Sequence, residues 1–214
     1  MARTNLKKNR PRPEPEGLSR ERVCKEALAL VDEEGLEALS MRRLGARLGF
    51  EAMSLYRHVR DKADLLDALH TAVLGELEPL EACDDHDWRG LLGGLASALR
   101  AALLRHPAVV SLFATRPVTA PEAMATIQRV WTAMAGAGFA PEHAHKAIIV
   151  VGVFTLGHVL GETHGQPAAH LGAPQGPGAA EFQFGLDALL DGIARHASTA
   201  PTPSPRKPRK RSAS

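Results

Sequence analysis

The chain has 214 residues, 44% hydrophobic and 23% charged, a globular composition long enough for one or two domains and able to bury about 70% of its unfolded surface. Aromatic residues amount to only 4%, and runs rich in Val, Ile, Thr, Tyr and Phe are scarce, which argues against sandwiches and barrels and predicts an all-α fold. The net charge of +2 hides a division: residues 1–16 carry five Lys/Arg against two acids, 17–62 nine against eight, 63–198 seven against fourteen, and 199–214 five against none. A neutral-to-basic front and an acidic rear suggest a nucleic-acid contact in front and a different task behind it.

Two cysteines, Cys24 and Cys83, are too few for a disulfide framework or a structural zinc site, so a reduced cytoplasmic compartment is expected. The basic start runs into Pro and Glu instead of an apolar secretory segment. The longest apolar run, Ala147 to Gly161, contains His158 and falls short of the ~20 residues that span a bilayer, so no membrane partner is expected. The stretch Pro201 to Arg211 of the Pro- and Arg-rich tail has no apolar side chain to bury, and the tail 199–214 and residues 1–17 read as disordered basic segments.

Ser19 is placed to cap a first helix whose Val23, Ala27, Leu30 and Val31 share one face, and Gly35 ends it. Ser40 caps a short second helix with Leu44 and Leu48 inward, stopped by Gly49. A third segment, Glu51 to His58, buries Leu55. Asp61 opens a fourth helix with the stripe Leu65, Leu66, Leu69 and Val73. Three short helices with converging apolar faces have the layout of a helix-turn-helix, in which the second helix braces the third in a major groove. Six Lys/Arg (Arg42, Arg43, Arg47, Arg57, Arg60, Lys62) stand between Ser40 and Lys62 against Glu51 and Asp61, where phosphates would lie.

Beyond Cys83, Asp87 caps a helix through Leu91, Leu95 and Leu99 that stops before Pro107. A short segment around Leu112 and Phe113 follows, then helices starting at Pro121 and at Pro141. The Pro141–Thr163 helix is apolar nearly all round, a Gly/Pro-rich loop covers 164–178, and a last helix runs from Ala180 to His196. The long helix and the last one suggest a two-chain four-helix bundle and an isologous homodimer, with the contact through Phe154, Gly157, His158, Gly161, Phe182, Leu186, Leu189 and Ile193. An internal position for both helices in a monomer is the alternative.

Leu39-Ser40-Met41-Arg42-Arg43-Leu44, followed by Gly49 to Lys62 with its Leu55-Tyr56-Arg57-His58-Val59, resembles the DNA-binding domain of the tetracycline-repressor (TetR) family. The rear, through Trp88, Thr115-Arg116-Pro117, Gly152 to Gly157 and Phe184-Gly185-Leu186, resembles the ligand domain of the tetracycline-binding branch. The resemblance implies a DNA-binding domain over 18–62 and an effector-binding and dimerisation domain over 63–198. It implies that Arg42 reads a guanine, that Ser54, Tyr56, His58 and Lys62 hold phosphates, and that Ala52 and Met53 face the groove beside the basic Arg43 and Arg57. Ala52 stands where that branch has a glutamine, so it offers a thymine methyl contact instead.

The resemblance also implies an effector pocket with Leu95, Leu99, Leu112, Thr115, Arg116, Ile148 and Ile149 on its walls, together with Trp131 and His145. Leu112 replaces a magnesium-binding histidine, and Leu95 and Leu99 replace the drug-gripping asparagine and phenylalanine. A small, apolar, metal-free effector is therefore expected, with no cofactor. His158, Glu162, His164 and His170 make a metal site conceivable, but only the first two share a helical face. No phosphate loop, Gly-x-Ser-x-Gly or His-Glu-x-x-His motif supports an enzyme, and the acidic rear speaks against a non-specific DNA-packing protein. A ligand-released repressor on a palindromic operator is the resulting expectation. An activator or co-repressed regulator would use the same parts.

Overall fold

The computed structural model describes residues 17–78, 80, 83–164 and 178–197. The expected disordered arm (Gly17 apart), the tail 199–214 and almost all of the expected loop 164–178 lie outside the described residues. Nine α-helices are found among the described residues, with no strand: α1 Arg20–Glu34, α2 Met41–Leu48, α3 Ala52–Leu55, α4 Lys62–Gly75, α5 Trp88–Arg105, α6 Val110–Thr115, α7 Pro121–Gly136, α8 Pro141–His164 and α9 Ala179–Ala197.

The predicted caps form. The Ser19 hydroxyl accepts from the Arg22 N–H, Ser40 from Arg43, Asp61 from Asp64 and Asp87 from Gly90; each such bond contributes about 1 kcal/mol. Helices α1 and α5 end at Glu34 and Arg105, as Gly35 and Pro107 predict, and a short 3₁₀ turn follows each, Leu36–Ala38 and Pro107–Val109. The third helix is shorter than its expected span of Glu51 to His58: α3 ends at Leu55, and Tyr56 to His58 form turns.

The front core gathers Val23 and Ala27 of α1, Leu44 and Leu48 of α2, Leu55 of α3, and Leu65 and Leu69 of α4. It continues without a break into Leu103, Val109 and Leu112. A second core joins α5, α7, α8 and α9 around Leu91, Met134, Val151 and Leu186. Helix α4 touches both halves of the molecule.

Two constraints position the front. A Cβ on Gly45 would lie 2.8 Å from the Phe50 carbonyl oxygen and 3.1 Å from the Ala52 nitrogen, so α2 and the start of α3 meet only because position 45 has no side chain. Gly49, at φ +76°, makes the left-handed turn between them. The second constraint is ionic. The Arg20 guanidinium grips both Asp64 carboxylate oxygens at 2.9 and 3.0 Å and also donates to the His58 carbonyl at 2.8 Å, while the Arg60 N–H donates to Asp64 at 2.8 Å. Arg20 and the Arg60 N–H together hold the Asp64 carboxyl well below the usual carboxylate range.

Gly45→Ala is expected to cost about 1–3 kcal/mol, read as a lower urea midpoint with helical content otherwise retained. Asp64→Asn is expected to cost about 2 kcal/mol at neutral pH. Because the folded-state carboxyl titrates lower than the unfolded one, this contribution is complete above about pH 4 and is lost as the pH falls further. Urea titrations of wild type and Asp64→Asn at pH 7 and pH 3 should show the gap between them narrowing at the lower pH.

Candidate nucleic-acid interface and internal cavity

Helix α3 buries Leu55 completely and leaves Met53 at 73% exposure, and Tyr56 in the turn after it is 44% exposed. Ala52, Ser54 and His58 are half-buried, and Arg57 is exposed. Arg42 and Arg43 stand exposed in the first turn of α2, and Lys62 is the exposed first residue of α4, where the helix dipole adds to its charge. The nine residues expected at DNA thus sit on α2, on α3 with the turn after it, and at the start of α4.

Counting formal charges misjudges this surface. Arg47 donates to both Glu33 oxygens at 2.6 Å and to Glu26 at 3.1 Å, which raises its pKa further. Arg43 is paired with Glu34. These two arginines tie α2 to α1. Arg42, Arg57 and Lys62, by contrast, have no carboxylate within ion-pair distance among the described residues. They retain the charge that a phosphate or a guanine could use.

Behind this surface lies a cavity of about 290 Å³ walled by α4, α5, α6, α7 and α8. Leu95, Leu99, Ile148 and Ile149 line it, as do Phe113 and Ile127. His70 and Leu74 of α4, with Leu77 just beyond its end, complete the wall. His70 is only 2% exposed; desolvation, then the nearby Arg116 charge, pushes its pKa down. Sequence reasoning passed over His70, although a polar residue between Leu66, Leu69 and Val73 of the apolar stripe was a visible irregularity.

Five residues expected on the cavity walls stand elsewhere. Leu112 is buried in the front core, because on the short helix α6 it points about 100° away from Phe113, which takes the cavity side. Thr115 is exposed and returns its hydroxyl to the Ser111 carbonyl at 3.2 Å. Arg116 pairs with Asp67 and reaches the Ala63 carbonyl at 3.3 Å, fastening α4 rather than facing the cavity. Trp131 packs against the rear core, one turn beyond Ile127. His145 is exposed, because Ala144 and Ala147 take the inward positions of α8.

The expected dimer contact divides in the same way. Phe182 and Leu186 are 3% and 1% exposed and belong to the chain's own core. Phe154 stacks on Phe182 at 5.5 Å, and a Cβ on Gly185 would fall 2.6 Å from the Phe154 ring, so α8 and α9 are in close contact within one chain. His158 is nearly buried, with Nε2 3.0 Å from the Gly178 carbonyl. Gly157 is exposed, while Gly161, Leu189 and Ile193 are half-buried. The outward apolar face instead carries Val150, Val153, Leu160 and Phe184, the last 79% exposed.

Helix α8 exceeds the expectation drawn from its apolar run. It has 24 residues and a mean hydropathy of 1.5 in its most apolar window, long and apolar enough to cross a membrane by those criteria, and only 28% of that window is buried within the chain. Among the described residues no group of three His, Cys, Asp or Glu is placed to hold a metal. His158 and Glu162 are 3.9 Å apart, His164 bonds Thr163, and His170 lies outside the described residues.

Residues 24–69 match the family model for bacterial regulatory proteins of the tetR family, and residues 79–179 match the tetracyclin repressor-like C-terminal domain. An HTH-type transcriptional regulator of Saccharopolyspora erythraea is 37% identical over 68% of this chain; the match spans 61% of that relative's length. The class A tetracycline repressor protein from transposon 1721 of Escherichia coli is 36% identical over 81% of this chain and 89% of its own. A TetR variant from Acinetobacter baumannii AYE, solved in complex with minocycline, is 32% identical with a TM-score of 0.71, covering 86% of this chain and all of that one. BioQ, solved with its double-stranded DNA operator, is 26% identical with a TM-score of 0.66, covering 84% of this chain and all of that one. The chain belongs to the TetR family of bacterial transcriptional regulators.

Proposed function

We propose that the chain is a cytoplasmic, ligand-released transcriptional repressor that binds a palindromic operator as a homodimer. The observation that carries the reading is the placement of α4: its first residue, Lys62, stands at the cationic surface, and its His70 and Leu74 wall the cavity. In this reading residues 18–62 read DNA and 63–198 bind effector and partner. Arg42 reads a base edge. Tyr56, Lys62, Ser54 and His58 hold the backbone, with Arg43 and Arg57 beside them and Ala52 and Met53 against the groove. Two such heads, about 34–36 Å apart, meet successive major grooves.

The homodimer forms through α8 and α9. Its support is the exposed apolar face of Val150, Val153, Leu160 and Phe184, which a second copy would cover with the same patch. The effector is small, apolar and metal-free. Its support is a cavity walled almost wholly by aliphatic side chains, of a volume near the lower end for ligand pockets, about 300 Å³. Filling it favours a conformer with the heads at another separation, so DNA and effector weaken each other equally.

A gel shift on palindromic operator DNA across a salt series tests the reading. Arg42→Ala is expected to cost ~1–3 kcal/mol and relax specificity at one base position, while Lys62→Ala weakens all sequences alike and shallows the salt slope by about one. Wild-type binding by both variants removes the groove assignment. Leu95→Trp, which fills the cavity, is expected to leave operator affinity intact and abolish release by effector. A Leu95→Trp protein that still releases DNA removes this cavity from the mechanism.

A further inference from the structure

Among the described residues the cavity wall has two polar side chains, His70 and Thr155. Thr155 has spent its proton internally, donating to the Val151 carbonyl at 2.8 Å. His70 is different. Its Nε2 has no hydrogen-bond partner, its ring packs against Phe113 with centroids 4.5 Å apart, and the residue is 2% exposed. Buried polar atoms without partners are few in folded proteins, and each calls for an explanation. A leucine at position 70 would continue the α4 stripe at no such cost.

We propose that His70 is the specificity-determining contact of the cavity, which takes a neutral, mainly apolar molecule bearing one hydroxyl group that hydrogen-bonds the His70 imidazole. This inference rests on the effector-cavity reading above. Burial and the Arg116 charge hold the imidazole neutral, so it offers one donor nitrogen and one acceptor nitrogen. A hydroxyl donates to one or accepts from the other, and so fits either tautomer. A carboxylate would bring a full charge to a wall whose described residues supply no cation, since Arg116 is held by Asp67. An ammonium would find no carboxylate among the described lining residues, and a bare hydrocarbon would leave the imidazole unpaired.

The position of His70 adds specificity for the effector's orientation. The same residue also borders the opposite groove, between α1 and α4, where Arg20 grips Asp64. A ligand bonded to His70 is thus attached to the helix that carries the front of the molecule, whereas one touching only α5 and α8 is not.

The test uses the full chain and two isosteric probes, 2-naphthol and 2-methylnaphthalene, measured by equilibrium dialysis. Wild type is expected to prefer 2-naphthol by about tenfold, the discrimination one neutral hydrogen bond supplies. His70→Leu should lose that preference while binding 2-methylnaphthalene at least as well, which also shows that the variant is folded; His70→Gln should keep part of the preference. Leu95→Trp should exclude both probes. Equal binding of the two probes by wild type, both excluded by Leu95→Trp, overturns the His70 assignment and leaves the cavity standing. Undiminished preference in His70→Leu overturns it too. Binding that Leu95→Trp does not disturb overturns the cavity reading itself, and failure of both probes to bind overturns the proposed ligand class.

Discussion

Helix α4 must satisfy two packing surfaces with fourteen residues, and the other helices are arranged around that requirement. Leu65 and Leu69 belong to the front core, while Leu74 packs with Ala120 and Ala123 behind it. Ionic contacts fasten it at both ends. At its start Arg20 of α1 holds Asp64, and Arg116, beyond α6, holds Asp67. Past its end Glu76 meets Arg105 at 3.2 Å and His106 at 3.1 Å, and the other ring nitrogen of His106 lies 2.8 Å from Asp32 of α1. No part of α4 can shift without altering a contact to α1, to the rear helices, or to both.

The same accounting explains which cations remain for an external partner. Helix α1 carries Glu26, Glu33 and Glu34 toward α2, and these absorb Arg43 and Arg47. Exposed pairs of this kind contribute little to stability, roughly 0–1 kcal/mol each. Their larger consequence is directional: they set α2 against α1 and leave Arg42, Arg57 and Lys62 without a carboxylate partner among the described residues. A surface that is formally rich in arginine is thereby narrowed to the few cations that could neutralise phosphates or read a base.

Much of the fold was legible in the sequence because helix ends are local events. Ser19, Ser40, Asp61 and Asp87 announce their caps within three residues of chain, and Gly35 and Gly49 announce the turns. The site was legible only in part, since periodicity gives the face of a helix but not what that face meets. Leu112 and Phe113 were equally apolar in sequence, yet one entered the front core and the other the cavity. Phe182 and Leu186 read as a contact stripe, but the close approach at Gly185 turned them inward and left Phe184 outside. Arg116 kept the place implied by family resemblance in sequence and lost the surroundings, because Asp67 on α4 captures it. His70 was hidden by its neighbours, as an apolar stripe is read through its majority.

The strengths of these contacts also indicate where movement is least costly. Asp64 has a side chain only 10% exposed and accepts from Arg20 and from the Arg60 N–H, and charge-assisted bonds at such a carboxylate are the stronger kind, about 1.5–3 kcal/mol each. The Arg105–Glu76 pair at the far end is more open, with side chains 46% and 38% exposed, so water can replace it at little cost. In the proposed mechanism the front helices therefore travel with the start of α4 as one body, and the yielding contacts are those behind. A ligand shifts such an equilibrium only by its differential affinity for the two arrangements. The walls contributed by α4 are where that difference has to arise, because Leu95 and Ile148 stand on helices whose other face is committed to the rear core.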